Sequence, residues 1–252
     1  MSNEARVICR FSCGVASAVA TKLALAKYRL FDREIIITRS HTGSEHPDNE
    51  RFMADCARWF NAPVVEQRST RFKDTWDVWG RERFITSAWG SSCTDELKRI
   101  PSEAMIRRGD ILVFGYNIGE EGRAARLRKA NDHVTIETPL IDAGLTKSDC
   151  LAIVERAGIA LPAMYLLGYT NNNCPACPKA GMAHWNKLRI THPDQFERMA
   201  ALQRELGPGS GFHVYKGNRI TLDELPPNAG RMADEITVEC SIMCHAAEGD
   251  MA

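Results

Sequence analysis

Short apolar runs alternate with helical periodicities along the first part of the chain. We predict a strand in each of five apolar runs: RVICRF, EIIITR, APVVEQ, DILVFGYN and HVTIETPL. Apolar residues recur at helical spacing between these runs, as in residues 15–28 with Val19, Leu23 and Leu25. Because strands alternate with helices, the pattern predicts an α/β, Rossmann-like parallel five-stranded sheet with helices on both faces.

Small and polar residues follow three of the predicted strands, in the turns FSCGVAS, RSHTGSEHP and GYNIGEEGR. Ligands of parallel sheets bind beyond the carboxyl ends of the strands, so these three turns are expected to form one pocket. The first turn also opens a helix, whose start presents free backbone N–H groups and the positive end of a dipole. The pattern therefore predicts a site for a phosphate or another anion, although a tight turn alone would look the same.

The pattern changes at about residue 145. LTKSDCLAIVERAGI is predicted to form an amphipathic helix with Thr146 as its N-cap, and GMAHWNKLRI and HPDQFERMAALQREL two more helices. Between them lies a loop rich in Pro, Asn and Gly, and a Gly/Pro-rich tail follows residue 207. We therefore predict a first domain over 1–145 and, over 146–252, a C-terminal helical extension with a CxxC loop and a cysteine-bearing tail.

Composition narrows the class of protein. The chain has 252 residues, 44% apolar and 25% charged, as in ordinary globular proteins. Lys plus Arg and Asp plus Glu are both 32, and this zero net charge does not favour broad electrostatic binding of nucleic acid. The sequence has no apolar run of membrane-spanning length and no secretory signal pattern, so we expect a cytoplasmic protein without a membrane partner.

Nine cysteines are many for such a chain, and without a secretory signal disulfides explain them poorly. Metal binding or redox chemistry is the better expectation. Cys9 lies in the first predicted strand, and Cys56 and Cys150 lie within helical patterns, so these three are expected to be packing residues.

Cys174-Pro-Ala-Cys177 is the sharpest local motif, because two cysteines at this spacing can hold one metal ion or cluster. A thioredoxin-like redox pair would be expected at a helix start after a first strand, whereas this pair lies late in a Pro/Asn loop. Further candidate ligands are Cys93, Cys240 and Cys244. The spacing alone does not distinguish zinc from an iron–sulfur cluster.

The order of the motifs resembles a known family. FSCGVASAVA, HTGSEHPDNERF, SSCTDELKRIP, GYNIGEEGRAAR, NNNCPACPKAG and VECSIMCH follow one another as in the phosphoadenosine phosphosulfate (PAPS) reductase family of the adenine nucleotide alpha-hydrolase superfamily. The resemblance runs from the first strand to the CxxC loop. Each motif is loose, so their order and spacing carry the resemblance.

The resemblance implies a phosphate-binding PP-loop over residues 12–17, and an adenine nucleotide as substrate. Cys13 and Ala16 replace a Gly and an Asp of the family pattern, and Val15 stands where ATP-cleaving members often have Lys. These losses disfavour ATP cleavage more than binding of a nucleotide that arrives already activated. The implied nucleotide contacts are Ser12, Cys13, Gly14, Ser17, Thr42, Gly43, Gly115, Arg123 and Arg126.

The resemblance also implies a cluster and a nucleophile. Cluster-bearing members use a Cys-Cys pair and a CxxC pair; Ser92 replaces the first cysteine of the former. The implied 4Fe-4S ligands are Cys93, Cys174, Cys177 and Cys244, with zinc as the alternative metal. The family's reductases end in a Glu-Cys-Gly-x-His segment whose Cys attacks the sulfonyl sulfur, which assigns this role to Cys240.

Three functions are compatible with these features. The first is an enzyme that reduces an adenine sulfonucleotide to sulfite with the help of a thioredoxin-type reductant. The second is an iron–sulfur, ATP-dependent sulfurtransferase that thiolates tRNA or DNA, the only case in which nucleic acid would be a partner. The third is a non-enzymatic nucleotide-binding or metal-sensing protein, which the replacements at Cys13 and Ala16 favour.

Overall fold

The computed structural model describes residues 5–31, 33–87 and 90–235. A five-stranded parallel sheet forms the centre of the fold, in the order β3-β2-β1-β6-β7. The predicted α/β sheet and its five strands are confirmed. The strands are β1 (Val7–Arg10), β2 (Ile35–Ser40), β3 (Val64–Gln67), β6 (Ile111–Val113) and β7 (Thr135–Glu137).

Helices cover both faces of the sheet, because successive crossovers run first one way and then the other from the central strand β1. On one face, Val7, Cys9 and Phe11 pack in a common core with α1 (Val15–Tyr28), α2 (Asp48–Phe60) and α8 (Lys147–Arg156). On the other face, Ile8 and Leu112 pack against α6 (Glu121–Ala130). The alternation along β1 follows the two-residue period of a strand.

Local signals in the sequence explain where these helices start. Helix α2 begins after Pro47, whose φ of −55° is already helical, and ends at Asn61 in the left-handed conformation. Thr146 and Asp149 form a reciprocal capping box at the start of α8, which confirms the predicted N-cap. The remaining helices are α3 (Thr75–Glu82), α4 (Ser92–Thr94), α5 (Ile100–Glu103), α7 (Pro139–Asp142), α9 (Ala163–Leu166), α10 (Met182–Thr191) and α11 (Pro193–Leu206).

A second core lies beside the sheet domain and joins α3, α10 and α11. Trp79 and Trp185 are its largest side chains, and both are fully buried. Two antiparallel hairpins complete this part: β4 (Thr86–Ser87) with β5 (Gly90–Ser91), and β8 (His213–Tyr215) with β9 (Asn218–Ile220).

The Gly/Pro-rich tail predicted from residue 207 forms regular, packed structure up to residue 235. Residues 213–220 form the β8–β9 hairpin, and Leu222, Leu225 and Ala229 are buried in the second core. Gly and Pro in this stretch make the turns between packed segments. The strands in this segment are only three residues long, so a periodic pattern of apolar residues does not reveal them. The predicted tail cysteines Cys240 and Cys244 lie outside the described residues.

The three cysteines expected to be packing residues are confirmed as such, since Cys9, Cys56 and Cys150 are all fully buried in the first core. Cys150 places α8 on α1, so the first helix beyond residue 145 shares the core of the sheet domain. The division at residue 145 stays a prediction. Among the described residues, no helix has the length and apolar character needed to cross a membrane.

Candidate functional site: a cavity lined by three cysteines

Three of the four predicted metal ligands lie together. Cys93, Cys174 and Cys177 line one cavity, although they come from two separate stretches of the chain. Thr42, Thr75, Trp79, Lys98 and Lys179 contribute further side chains to its wall. The cavity lies at the carboxyl edge of the sheet, since Thr42 follows the last residue of β2 by two positions.

The segment around Cys93 is held by tight local structure. Thr86 Oγ1 and Ser91 Oγ lie 2.7 Å apart across the β4–β5 hairpin, which leads directly into α4 and Cys93. A π-helical turn over Asp95–Arg99 follows and brings Lys98 into the wall of the same cavity. Single π-helical turns inside helices often occur at functional sites.

The CxxC loop is fixed from the other side by α10. Pro175 O lies 2.7 Å from Nε2 of His184, which is buried on the first turn of that helix. The Glu235 carboxylate accepts hydrogen bonds from the backbone N–H groups of Gly181 and His184 at 2.8 and 2.9 Å. A carboxylate at a helix N-terminus accepts hydrogen bonds from the unpaired N–H groups and interacts favourably with the positive end of the helix dipole. Glu235 therefore stabilises the start of α10 next to the loop.

The turn after β2 contacts the CxxC loop directly. Thr42 Oγ1 and Cys174 Sγ are 3.1 Å apart, and Thr42 is buried. Gly43 has a φ of +68°, and a Cβ there would lie 2.3 Å from the carbonyl oxygen of Lys73. Thr42 and Gly43, predicted as nucleotide contacts, therefore form a tightly packed turn whose hydroxyl faces a predicted metal ligand.

Burial keeps the pKa of the Cys174 thiol well above its usual value. The positive charge of Lys98 and the hydrogen bond from Thr42 act in the opposite direction and favour the thiolate. A metal ion binds the deprotonated sulfur, so metal binding here would release a proton.

The cavity fits a metal centre bound by thiolates. Three thiols are the donor set that zinc and iron–sulfur clusters share. In addition, Trp79 lines the cavity, and its buried indole Nε1 has no hydrogen-bond partner among the described residues. Buried polar groups are rarely left unpaired, so this donor indicates a missing acceptor. The described residues bring three cysteines to the cavity; the fourth predicted ligand, Cys244, lies outside them.

The predicted PP-loop forms the turn between β1 and α1. Ser17 Oγ accepts a hydrogen bond from the Ser12 backbone N–H at 3.1 Å and donates one to Gly14 O at 2.9 Å. Cys13 has a φ of +60°, a conformation that favours glycine, and it is the position where the family pattern has Gly. Its buried thiol has a pKa raised well above its usual value, so it stays protonated.

Gly115 brings the loop after β6 against this turn. A Cβ at Gly115 would lie 2.6 Å from both the Cα and the backbone N of Ser17. Close approach of two backbones thus explains the glycine. Arg123, a predicted phosphate contact, lies over the Tyr116 ring at 5.0 Å and forms an ion pair with Glu120. Arg126 is half-buried on the same helix, α6. The positions of these residues do not test nucleotide binding, so the nine nucleotide contacts implied by the resemblance stay predictions.

One residue that connects the two loops was not predicted. Asn172 Nδ2 donates to the carbonyl oxygen of Cys13 at 2.7 Å and to Asn49 Oδ1 at 2.8 Å, and the residue is buried. Its position in a run of three asparagines just before the CxxC pair is the signal that could have identified it. The CxxC loop is therefore joined to the PP-loop as well as to the turn after β2.

A second group of possible metal ligands consists of His41, Glu50 and Glu66. Arg39 is buried beside them and forms ion pairs with Glu45, Glu50 and Glu66 at 2.6, 2.9 and 3.2 Å. Because a guanidinium already neutralises these carboxylates, we interpret the group as an ion-pair network.

The sequence matches no known protein family, and no curated protein is significantly similar to it. Among solved structures, a phosphoadenylyl-sulfate (PAPS) reductase from Candida auris, in a phosphate complex, aligns with a TM-score of 0.46 and 11% identity. The alignment covers 67% of this chain and 79% of that chain. A likeness at this level carries no inference about the ligand or the reaction of the present chain.

Proposed function

We propose that the protein is an iron–sulfur enzyme of the PAPS reductase family that reduces an adenine sulfonucleotide to sulfite. The observation that supports this best is that three cysteines share one cavity and that the CxxC loop contacts the predicted nucleotide-binding turns. Cys174 contacts Thr42, and Asn172 contacts Cys13. The order of the sequence motifs supports the family. The proposal places a thiolate-bound cluster beside a nucleotide site.

The residues of this chain would act as follows. The backbone N–H groups at the start of α1 bind an anionic group of the nucleotide, and Arg126 adds a guanidinium from α6. Cys93, Cys174 and Cys177 would hold a 4Fe-4S cluster, with Cys244 as the fourth ligand. When bound, the cluster would set the local charge at the rim of the nucleotide site.

The chemical step is assigned to Cys240. Its thiolate attacks the sulfonate sulfur, an S–S bond forms, and the S–O bond to the phosphate breaks, so that the nucleotide leaves with the electron pair. One thiolate of a thioredoxin-type dithiol then attacks Cys240 Sγ, which forms a mixed disulfide and releases sulfite; the second thiol breaks the mixed disulfide and frees the Cys240 thiolate. The two electrons that reduce the sulfur come from the dithiol, which becomes a disulfide.

A second candidate is supported by the number of thiols around the cavity. Within the described residues the cavity wall has three cysteines, and a cluster held by three ligands has an iron free to bind sulfur. This favours an ATP-dependent sulfurtransferase acting on tRNA or DNA. The zero net charge and the replacement of the PP-loop Asp by Ala16 oppose it.

The test is anaerobic. Purified protein is assayed for iron, sulfide and visible absorption, and then for sulfite released from adenylyl sulfate and from its 3′-phosphorylated form. We expect iron and sulfide in the wild type, their loss in Cys93→Ser and Cys174→Ser, and their retention in Cys150→Ala. Cys240→Ser should abolish sulfite release and keep the iron.

A colourless zinc protein would refute the cluster, and sulfite release that survives Cys240→Ser would refute the assigned nucleophile. Pyrophosphate release from ATP that requires tRNA or DNA, without sulfite release, would establish the second candidate instead. Cys244→Ser separates the roles of the tail cysteines: loss of iron makes Cys244 a ligand, and unchanged iron excludes it.

A further inference from the structure

Helix α3 presents two residues of one face to the cysteine-lined cavity. Thr75 and Trp79 are four positions apart, so they lie one above the other on the helix, and both line the cavity. The helix is anchored at its start, where Asp74 accepts a hydrogen bond from the Asp77 backbone N–H at 2.7 Å. Thr75 Oγ1 donates to Ser44 Oγ at 2.7 Å, which ties α3 to the turn after β2.

Trp79 is a residue that packing alone does not explain. The ring is fully buried and meets Trp76 edge-to-face, with centroids 5.0 Å apart. A phenylalanine would supply such a contact without a polar atom. The indole N–H instead has no acceptor among the described residues, and an unpaired buried donor is destabilising.

Trp185 shows that an unpaired indole is not by itself a site. Its Nε1 is also buried without a partner among the described residues, and it belongs to the same second core. The difference is position: Trp79 lines the cavity with Cys93, Cys174 and Cys177, whereas Trp185 is absent from that wall. Of these two tryptophans, only Trp79 shares a cavity wall with the three candidate metal-binding cysteines.

We infer that the indole N–H of Trp79 donates a hydrogen bond to a sulfur of the metal centre, either a coordinating thiolate or a bridging sulfide, and thereby tunes its reduction potential. The inference rests on the proposed cluster. Hydrogen bonds to cluster sulfurs are among the factors that set such potentials. A donated N–H stabilises the more negative, reduced state more than the oxidised state.

The experiment compares cluster-loaded wild type, Trp79→Phe and Trp185→Phe by anaerobic spectroelectrochemistry. For Trp79→Phe we expect the equilibrium constant of one-electron reduction to fall about tenfold, which corresponds to a shift of about 59 mV to more negative potential. Trp185→Phe is the matched control, because it removes an equally buried, equally unpaired indole, and its potential should stay unchanged. Resonance Raman spectra should show a higher Fe–S stretching frequency, of the thiolate or of the bridging-sulfide mode, in Trp79→Phe only.

A second variant covers the case in which Trp79→Phe does not assemble a cluster. Replacing Trp79 by 3-benzothienylalanine keeps the bicyclic shape and removes only the N–H, and the same shift is expected. An unchanged potential with this analogue, or an equal shift in Trp185→Phe, overturns the inference and leaves the proposed function standing. A wild-type protein without iron and sulfide instead refutes the proposed function, and this is established before the comparison begins.

Discussion

The side-chain amide of Asn172 donates a hydrogen bond to the carbonyl oxygen of Cys13 at 2.7 Å, across 159 positions of the chain. The CxxC loop and the PP-loop are therefore one connected structure. A change in either loop is expected to affect the other, because Asn172 is buried and its amide nitrogen also donates a hydrogen bond to Asn49 Oδ1.

Asn172→Ala is expected to lower the free energy of unfolding by about 2 kcal/mol, since two buried hydrogen bonds are lost and the Cys13 carbonyl is left unpaired. Asn171→Ala is the matched control: it removes the neighbouring amide, whose Oδ1 accepts from Lys147 at 2.9 Å in a half-buried position. We expect less than about 1 kcal/mol there. Urea unfolding measures the free energy of both variants. Equal losses would contradict the conclusion that Asn172 connects the two loops.

Gly115→Ala is expected to disturb the turn between β1 and α1, because its Cβ would lie 2.6 Å from the backbone of Ser17. Real Cβ atoms do not approach backbone this closely, so β6 or the first turn of α1 must move. We expect a loss of about 3 kcal/mol in unfolding free energy, as for other overpacked sites. Gly122→Ala on α6 is the control, where the nearest atom to a new Cβ is 3.6 Å away. A tolerated Gly115→Ala would contradict the close approach.

Arg6 directly precedes β1 and Arg10 is its last residue; both are buried, but they differ in their partners. Arg6 forms an ion pair with Asp110 at 2.7 Å. Arg10 donates to Ser102 Oγ, while its Nη1 has no partner among the described residues, and burial lowers the pKa of its guanidinium. Arg10 is thus a buried charge without a described carboxylate partner.

These two arginines should respond oppositely to substitution. Arg6→Met leaves the Asp110 carboxylate buried without its counter-ion, which should cost about 3–5 kcal/mol of unfolding free energy. Arg10→Met removes an unpaired buried charge and keeps the side-chain volume, so stability should be unchanged or higher by about 1–2 kcal/mol. Urea titrations of both variants at one pH test the contrast. A large loss in Arg10→Met would mean that its guanidinium has a counter-ion.

The buried His213 is expected to lower the free energy of unfolding in acid. Burial, with a smaller contribution from His184, lowers the pKa of His213 to about 4, whereas a histidine in the unfolded chain has a pKa of about 6.5. Between these values the unfolded state binds the proton and the folded state does not. Stability from this group is complete above pH 6.5 and falls by up to about 3 kcal/mol as the pH approaches 4.

His213→Leu should remove this part of the acid sensitivity, because the side chain can no longer bind a proton in the unfolded state. His133→Gln, at an exposed position, serves as the control and should keep the wild-type pH profile. Thermal unfolding between pH 4 and 7.5 measures the three proteins. The assignment is wrong if His213→Leu loses stability in acid as steeply as the wild type.

Local patterns in the sequence determined the elements of the sheet domain. The helix predicted over 15–28 is α1, the Thr146 cap starts α8, and the five apolar runs are the five strands. Periodicity and capping act over a few residues, so a single sequence contains them completely. The hairpin at 213–220 was missed because its strands are three residues long and carry no clear alternation.

The candidate site depended on tertiary structure to a greater degree. Sequence spacing identified the Cys174/Cys177 pair, and a family resemblance added Cys93, but neither indicated that Thr42 would contact Cys174 across 132 positions. Nor did either distinguish Trp79 from Trp185, since both are apolar aromatic residues in helical patterns. Which tryptophan lines the cavity, and which carbonyl accepts a hydrogen bond from the Asn172 amide, is decided by how distant segments pack, because no local period encodes those contacts.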